Sequence, residues 1–368
     1  MAGLLISEAR YEKKLDKENF YITFLDVKSA FDVVRHEILL LDQNLNPIYW
    51  KILREVYSDL SSKVKWLDGL SQSFSIKQGV RQGGILSTHL YKIFVQDLLE
   101  ELEQNAIGYH LGNIYVGSPA CADDIAFISS DKYEMQTMLN IVSRYAKEHH
   151  YLIHPVKTQL VDCSKTPSNY DWVMNDNKLK ITNQSEHLGV IRADKKETKA
   201  NIERNIQTAR RTKYALMGSG FHGTNGLHPQ ISYKIYKTYV IPKLIYGLEI
   251  LPLNKENMEQ LEVFHRKCLR HIQSLPDRTS NSAVLLLLGA LPIEAEIHKR
   301  QLSLLYSTLS CNNERIKEVM DRQICTNYDN KQSFFCKVLE LIQMYDMPSI
   351  QALKNSLPKK GTLEKRSQ

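Results

Sequence analysis

No stretch of the 368-residue chain approaches the ~20 consecutive apolar residues that a membrane-spanning helix needs; the longest apolar run, Ala283 to Leu288, is far too short. The N-terminus, MAGLLISEAR, turns polar and charged after six residues, too soon for the apolar core of a secretory signal. None of the six cysteines, Cys121, Cys163, Cys268, Cys311, Cys325 and Cys336, forms a Cys-x-x-Cys pair. Their spacing matches neither a zinc module nor a dense disulfide frame, and reduced thiols are expected. Internal repeats and low-complexity segments are lacking too. These absences point to a chain of the cell interior, nucleus or cytoplasm, with no membrane partner.

What is present is ordinary globular composition, 43% hydrophobic and 24% charged, with a net charge of +7 that favours a polyanionic partner. FYITFLD, residues 20–26, reads as a buried strand ending in an acid, and VKSAFDVVRHEILLL takes a helical period after it. Asn46-Pro47 is a helix entry, N-cap followed by first helical position. Strand-like pieces at 64–67 and 73–77 flank an Asp68-Gly69 turn signal, and the glycine-rich KQGVRQGG precedes a helix near 86–104. A hairpin turning at Gly112-Asn113, a helix opened by Asp131, and short strands at 159–163, 178–182 and 187–191 follow. Helices and strands mix without regular β-α-β alternation, which points to α+β: an antiparallel sheet with packed helices. Beyond Arg192 helical periodicity dominates, over 195–217, 230–248, 255–274, 294–309 and 333–345, so domain boundaries are expected near 192 and 276.

Gly117 to Ser129 reads GSPACADDIAFIS, with no cation among the thirteen residues. The apolar flanks seat Asp123 and Asp124 at the bend of a mostly buried hairpin, where adjacent carboxylates repel unless a cation neutralises them. The hard cation suited to oxygen ligands is Mg²⁺. Asp26 closes the FYITFLD strand and so lies at a strand end as well. Three carboxylates from two strand ends can hold two metal ions about 4 Å apart, an arrangement that activates an attacking hydroxyl and stabilises a leaving oxygen in phosphoryl transfer. An Asp-Asp pair alone is also at home in a solvated loop.

LDVKSAFD (25–32), GVRQGG (79–84) with its following Leu-Ser, CADD (121–124), the lysine of HPVKT (154–158) and HLGV (187–190) resemble, in order and spacing, the five palm motifs of reverse transcriptases, most closely those of non-LTR, LINE-type retrotransposons. The segments YVIPKLIYGLEILPL and LGALPIEAEIHKRQLSL resemble the region after the palm in such elements. The resemblance implies an RNA-directed DNA polymerase that adds dNTPs to a DNA primer on an RNA template, with two Mg²⁺ ions, or Mn²⁺, on Asp26, Asp123 and Asp124. It implies that Val27 lends a backbone carbonyl to the second metal and that Phe31 is the aromatic that leaves no room for a 2′-hydroxyl. Gln82 and Gly83 would line the template and incoming nucleotide, Lys157 would lie near the departing pyrophosphate, and Leu188-Gly189 would grip the primer. Asp32 is read as a surface acid. The implied layout is a palm with a remnant of fingers over 1–191, a helical thumb over 192–276 and a C-terminal helical region over 277–368. Cations at Lys195, Lys196, Lys199, Arg204, Arg210, Arg211 and Lys213 would contact phosphates, and tyrosines 233, 236, 239 and 246 are read as core.

The sequence departs from the family pattern at Cys121, where an aromatic is common, and at Gly84-Ile85 and Thr88-His89, where prolines are common. Only 25 residues precede Asp26, and no Cys/His knuckle follows, so an N-terminally truncated copy is expected. Two alternatives stay open: a catalytically inactive nucleic-acid-binding remnant lacking the fingers, and another metal-dependent palm enzyme such as a nucleotide cyclase.

Overall fold

A computed structural model of the chain describes residues 1–16, 18–36, 46–81, 83–154, 156–223, 225–327 and 329–359. Helices and strands are mixed, and the chain forms two compact units: residues 17–185, and residues 3–16 together with the chain from 186 onward. No helix among the described residues is long and apolar enough to cross a membrane.

The 17–185 unit is built on a five-stranded sheet whose order is 180–182, 159–162, 21–25, 124–129, 120–121. Tyr21–Leu25 is central, with all five residues buried, as its unbroken run of aromatic and β-branched residues requires of a strand covered on both faces. It pairs antiparallel with Asp124–Ser129, from Tyr21 opposite Ser129 to Leu25 opposite Ile125, and with Gln159–Asp162 on its other side. The expected all-antiparallel sheet is corrected at one place: Gln159–Asp162 and Lys180–Thr182 run parallel. Helices Ser87–Gln104 and Lys132–Glu148 supply Leu98, Leu102, Met138, Leu139 and Val142 to the core around Phe127 and Trp172.

Local signals place several elements. Asn46 accepts the Ile48 N–H at 3.0 Å with Pro47 in the first helical turn of Pro47–Tyr57, and Asp131 accepts from the Tyr133 and Glu134 N–H groups. The helical stretch expected from Val27 is corrected over its first part: residues 27–35 are turns between isolated bridges at Val27 and Arg35, with helix assigned only at His36, because Ser29 takes φ +53° and its carbonyl is captured by the Asp32 and Val33 N–H groups. The remainder of that expectation, residues 37–41, lies outside the described residues. The hairpin around Asp68 is present but shifted: Lys65–Trp66 pairs with Gly69–Leu70 across Leu67-Asp68, nested inside a Ser61–Ser62 to Phe74–Ser75 pair.

The second unit is helical, with Glu197–Met217, Lys255–Gln273 and Ile293–Ser310 packed around Ile202, Val240, Leu244, Leu261, Leu269 and Ile293. The continuous helix expected over 230–248 is broken. Pro242 has no N–H to continue the ladder, and the chain widens into a π turn over Tyr236–Val240, where the Ile241 N–H reaches back to the Tyr236 carbonyl. The N-terminal helix Ala2–Asp16 carries no strong amphipathic signal, yet it inserts buried Glu8 and Arg10 into this unit.

Candidate active site

The antiparallel register between Tyr21–Leu25 and Asp124–Ser129 ends at Leu25 opposite Ile125, so Asp26 and Asp124, the next residue on each strand, lie at the same end of the sheet, close enough for the Asp26 charge to act on Asp124. Asp123 precedes it in a two-residue turn: Cys121 pairs with Asp124 across Ala122-Asp123, with Ala122 at φ +55°. Like charges directly opposite on a ladder are destabilising. Accordingly the Asp124 carboxyl is held above its usual range, first by desolvation where the protein packs around it, then by the charges of Asp123 and Asp26. Cys121, Asp123 and Asp124 are exposed, so the hairpin is buried only from Ile125 onward, a correction to the mostly buried bend expected.

Asp26 is fixed by its backbone. Its N–H donates to Thr158 Oγ1 at 3.2 Å and its carbonyl accepts the His154 N–H at 2.8 Å, while Val27 bridges Ile153. That bridge leaves the Val27 side chain against the core. Thr158 escaped the sequence reading, although it is the neighbour of Lys157 in HPVKT. Lys157 is exposed on the same loop, its N–H 3.4 Å from His154 Nδ1.

Phe31, Gly83, Gly84, Ser87, Thr88 and Asp123 line an open cleft of ≈ 560 Å³. Gly83 sits at φ +80° with no atom within 4 Å of where a Cβ would stand, so the backbone is bare on this side of the cleft. Gly84 is closed in instead: a Cβ there would stand 2.7 Å from Ser87 Oγ, which donates to the Arg81 carbonyl. Gln82 lies outside the described residues. Phe31 is half-buried and stacks on Tyr91, while Asp32 is exposed, as a surface acid. The Tyr91 hydroxyl is pushed well above its ordinary pKa, first by burial and further by the charges of Asp123 and Asp124, against the lowering effect of its bond to Tyr151.

Leu188 and Gly189 belong to the other unit and form a tight turn, at φ +50° and +70°, between Gln184–His187 and Val190–Ala193, so the single strand expected over 187–191 is a hairpin bend. Tyr246 donates its hydroxyl to the Leu188 carbonyl at 3.0 Å, and Arg204 donates to the Gly189 carbonyl at 2.6 Å. A Cβ on Gly189 would stand 2.8 Å from the Tyr246 ring, so glycine is required here twice over. Of the four tyrosines read as core, Tyr233 and Tyr236 are buried, while Tyr239 and Tyr246 are exposed.

Asp26, Asp123 and Asp124 form no ion pair among the described residues, and among these residues no three His, Cys, Asp or Glu side chains converge on one point where a metal ion could sit. Three like charges splay apart on their own, and drawing their oxygens together takes the field of a cation. The donor set itself, three carboxylates at one end of a sheet with no protein cation against them, suits a divalent hard cation.

Residues 4–192 match the family described as "Reverse transcriptase (RNA-dependent DNA polymerase)". The chain is 28% identical over 265 residues to the "RNA-directed DNA polymerase from mobile element jockey" of Drosophila funebris, covering 69% of this chain and 28% of that protein. It is 26% identical over 272 residues to the jockey polymerase of Drosophila melanogaster, covering 71% and 29%. A Pol polyprotein from the type-1 retrotransposable element R2 of Nasonia vitripennis is 27% identical over 160 residues, 43% of this chain and 15% of that one. The chain thus spans under a third of the length of these relatives. Among solved structures, telomerase from Candida albicans superposes loosely, with TM-score 0.38 and 14% identity over 86% of this chain and 54% of that one.

Proposed function

Because this chain belongs to the reverse transcriptase family, we propose that it is the polymerase portion of a non-LTR, LINE-type element, adding dNTPs to a DNA primer 3′-hydroxyl on an RNA template. The observation that supports this reading is that the strands ending in Asp26 and beginning at Asp124 pair side by side up to Leu25 opposite Ile125, with Asp123 lining a cleft that also holds Phe31 and Gly83. In this reading residues 17–185 are the palm, and the helical unit holds the thumb over 192–276 and a further region over 277–368.

Two Mg²⁺ ions, or Mn²⁺, held by Asp26, Asp123 and Asp124 would favour the deprotonated primer hydroxyl and stabilise the departing pyrophosphate oxygen. The chain's own part is positioning, which dominates phosphoryl transfer. Asp26 is held by Thr158 and His154, and Val27 would offer its carbonyl next to it. Phe31 closes the cleft against a sugar bearing a 2′-hydroxyl, and the bare backbone at Gly83 allows close approach of template and nucleotide. Lys157, exposed beside the Asp26 backbone, would meet the pyrophosphate. The Leu188-Gly189 turn, braced by Tyr246 and Arg204, would carry the primer, and the cations of the Glu197–Met217 helix would contact phosphates in a salt-sensitive way.

A binding remnant without catalysis is the second reading, and it would rest on the cations of the Glu197–Met217 helix without any use of the carboxylates. Primer extension on an RNA template with dNTPs and Mg²⁺ separates the two. Extension by the wild type that disappears in Asp123→Asn/Asp124→Asn supports the polymerase. No extension, with salt-sensitive binding of primer-template by both proteins, leaves the remnant.

A further inference from the structure

We propose that the hydroxyl-to-hydroxyl bond between Tyr91 and Tyr151 positions Phe31 and thereby sets how strictly the cleft excludes a 2′-hydroxyl on the incoming nucleotide. The inference rests on the polymerase reading above and adds two positioning residues to it.

Phe31 is held from two sides. Its carbonyl accepts the Val80 N–H at 2.7 Å, and its ring stacks on Tyr91 with centroids 5.2 Å apart and planes 30° from parallel. The backbone clamp fixes where the side chain starts, and the ring of Tyr91 fixes how far it can retreat from the cleft it lines. Tyr91 sits fully buried on the Ser87–Gln104 helix, and its hydroxyl meets that of Tyr151, also buried. Neither hydroxyl can turn to water, so each depends on the other for its hydrogen bond.

Tyr151 is anchored in turn. Its N–H donates to the Ala146 carbonyl at 2.8 Å, and the residues after it run beside the backbone that carries Asp26. There the Lys28 N–H donates to the Leu152 carbonyl at 2.7 Å, and the His154 N–H donates to the Asp26 carbonyl at 2.8 Å. The tether therefore ties the aromatic wall of the cleft to the segment that places a carboxylate. Tyrosine at position 91 is needed only for its hydroxyl; phenylalanine would keep the stack and lose the tie.

The test is single-nucleotide primer extension with a dNTP and its matching rNTP, using wild type, Tyr91→Phe, Tyr151→Phe and the double variant. The ratio of kcat/KM for dNTP over rNTP is expected to fall roughly tenfold in each single variant. The double variant is expected to fall no further, because both substitutions remove one shared bond. The two single variants break that bond from opposite ends, so if one fails to fold the other decides. An unchanged ratio while the wild type extends with dNTPs overturns the positioning role and leaves the polymerase reading standing. A wild type that extends with neither nucleotide overturns both.

Discussion

Two groups of acidic side chains, one in each compact unit, meet opposite treatment. In the helical unit Glu197 is buried and fully engaged: it pairs with Arg10, accepts from Arg192 Nη1 at 3.0 Å and takes the Ala193 N–H at 3.3 Å. Arg192, itself fully buried, also donates to Ser7 Oγ at 2.9 Å and to the Gly3 carbonyl at 2.7 Å. Glu8 accepts from Gln323, Ser333 and the Phe334 N–H, at 2.7, 2.8 and 2.7 Å, and Glu12 takes a two-pronged contact from Arg322. In the sheet unit Asp26, Asp123 and Asp124 stand together with no such partner among the described residues, and Asp124 is pushed up first by desolvation and then by the charges of Asp123 and Asp26. Buried acids are satisfied from within the chain in one unit, whereas in the proposed reading the three acids of the sheet unit are left for a cation.

The sharpest way to break this contrast is to neutralise both groups. Asp123→Asn/Asp124→Asn is expected to cost extension activity a thousandfold or more, about 4 kcal/mol of barrier, while thermal unfolding shifts upward or not at all because repulsion is relieved. Lower stability in that variant would put the two acids in the same class as Glu197. Glu197→Ala leaves two buried guanidinium groups without their carboxylate and is expected to cost about 3 kcal/mol in urea unfolding. A loss under about 1 kcal/mol would show that the network is not structural.

A pH titration of stability extends the contrast to a neutral buried group. His265 is satisfied on both nitrogens, by the Tyr236 hydroxyl at 2.9 Å and the Leu291 carbonyl at 3.0 Å, and burial, the largest cause, lowers its pKa to about 4. The unfolded chain takes up this proton near pH 6.5 and the native state only near 4, so the stabilisation is present above about 6.5 and is lost as pH falls through that window. His265→Gln is expected to flatten this part of the stability profile, and a profile unchanged by the substitution would assign the acid sensitivity elsewhere. The smallest effect belongs to the exposed pair Lys147 and Asp176, 3.3 Å apart, whose removal by Asp176→Asn is expected to change unfolding free energy by under about 0.5 kcal/mol.

Much of the site could be read from residues because its signals are local. Asp123-Asp124 between apolar runs, Asp26 at the end of an aromatic strand, Phe31 and Gly83 were all singled out from the chain, and the fold brings Phe31, Gly83 and Asp123 to one cleft. Tyr91 and Tyr151 were not, since sixty residues separate two hydroxyls that meet only after the Ser87–Gln104 helix has packed against the segment that follows Lys132–Glu148. The helix expected after Asp26 failed because periodicity does not reveal that Ser29 takes a left-handed conformation. The role of Ala2–Asp16 was hidden for a similar reason: Glu8 and Glu12 look like solvated charges until partners more than three hundred residues away close over them.

By itself, then, the amino-acid order determined what depends on neighbours in the chain: the caps at Asn46 and Asp131, the buried run of Tyr21–Leu25, and the motifs that mark the family. Tertiary structure alone decided that the charges of Asp26 and Asp123 act on Asp124, that the Leu188 carbonyl is taken by Tyr246, and that the first helix belongs with the C-terminal unit. The division is physical. Caps and alternation act within one turn or one strand, whereas register, buried ion networks and aromatic stacks exist only once distant segments have excluded water between them.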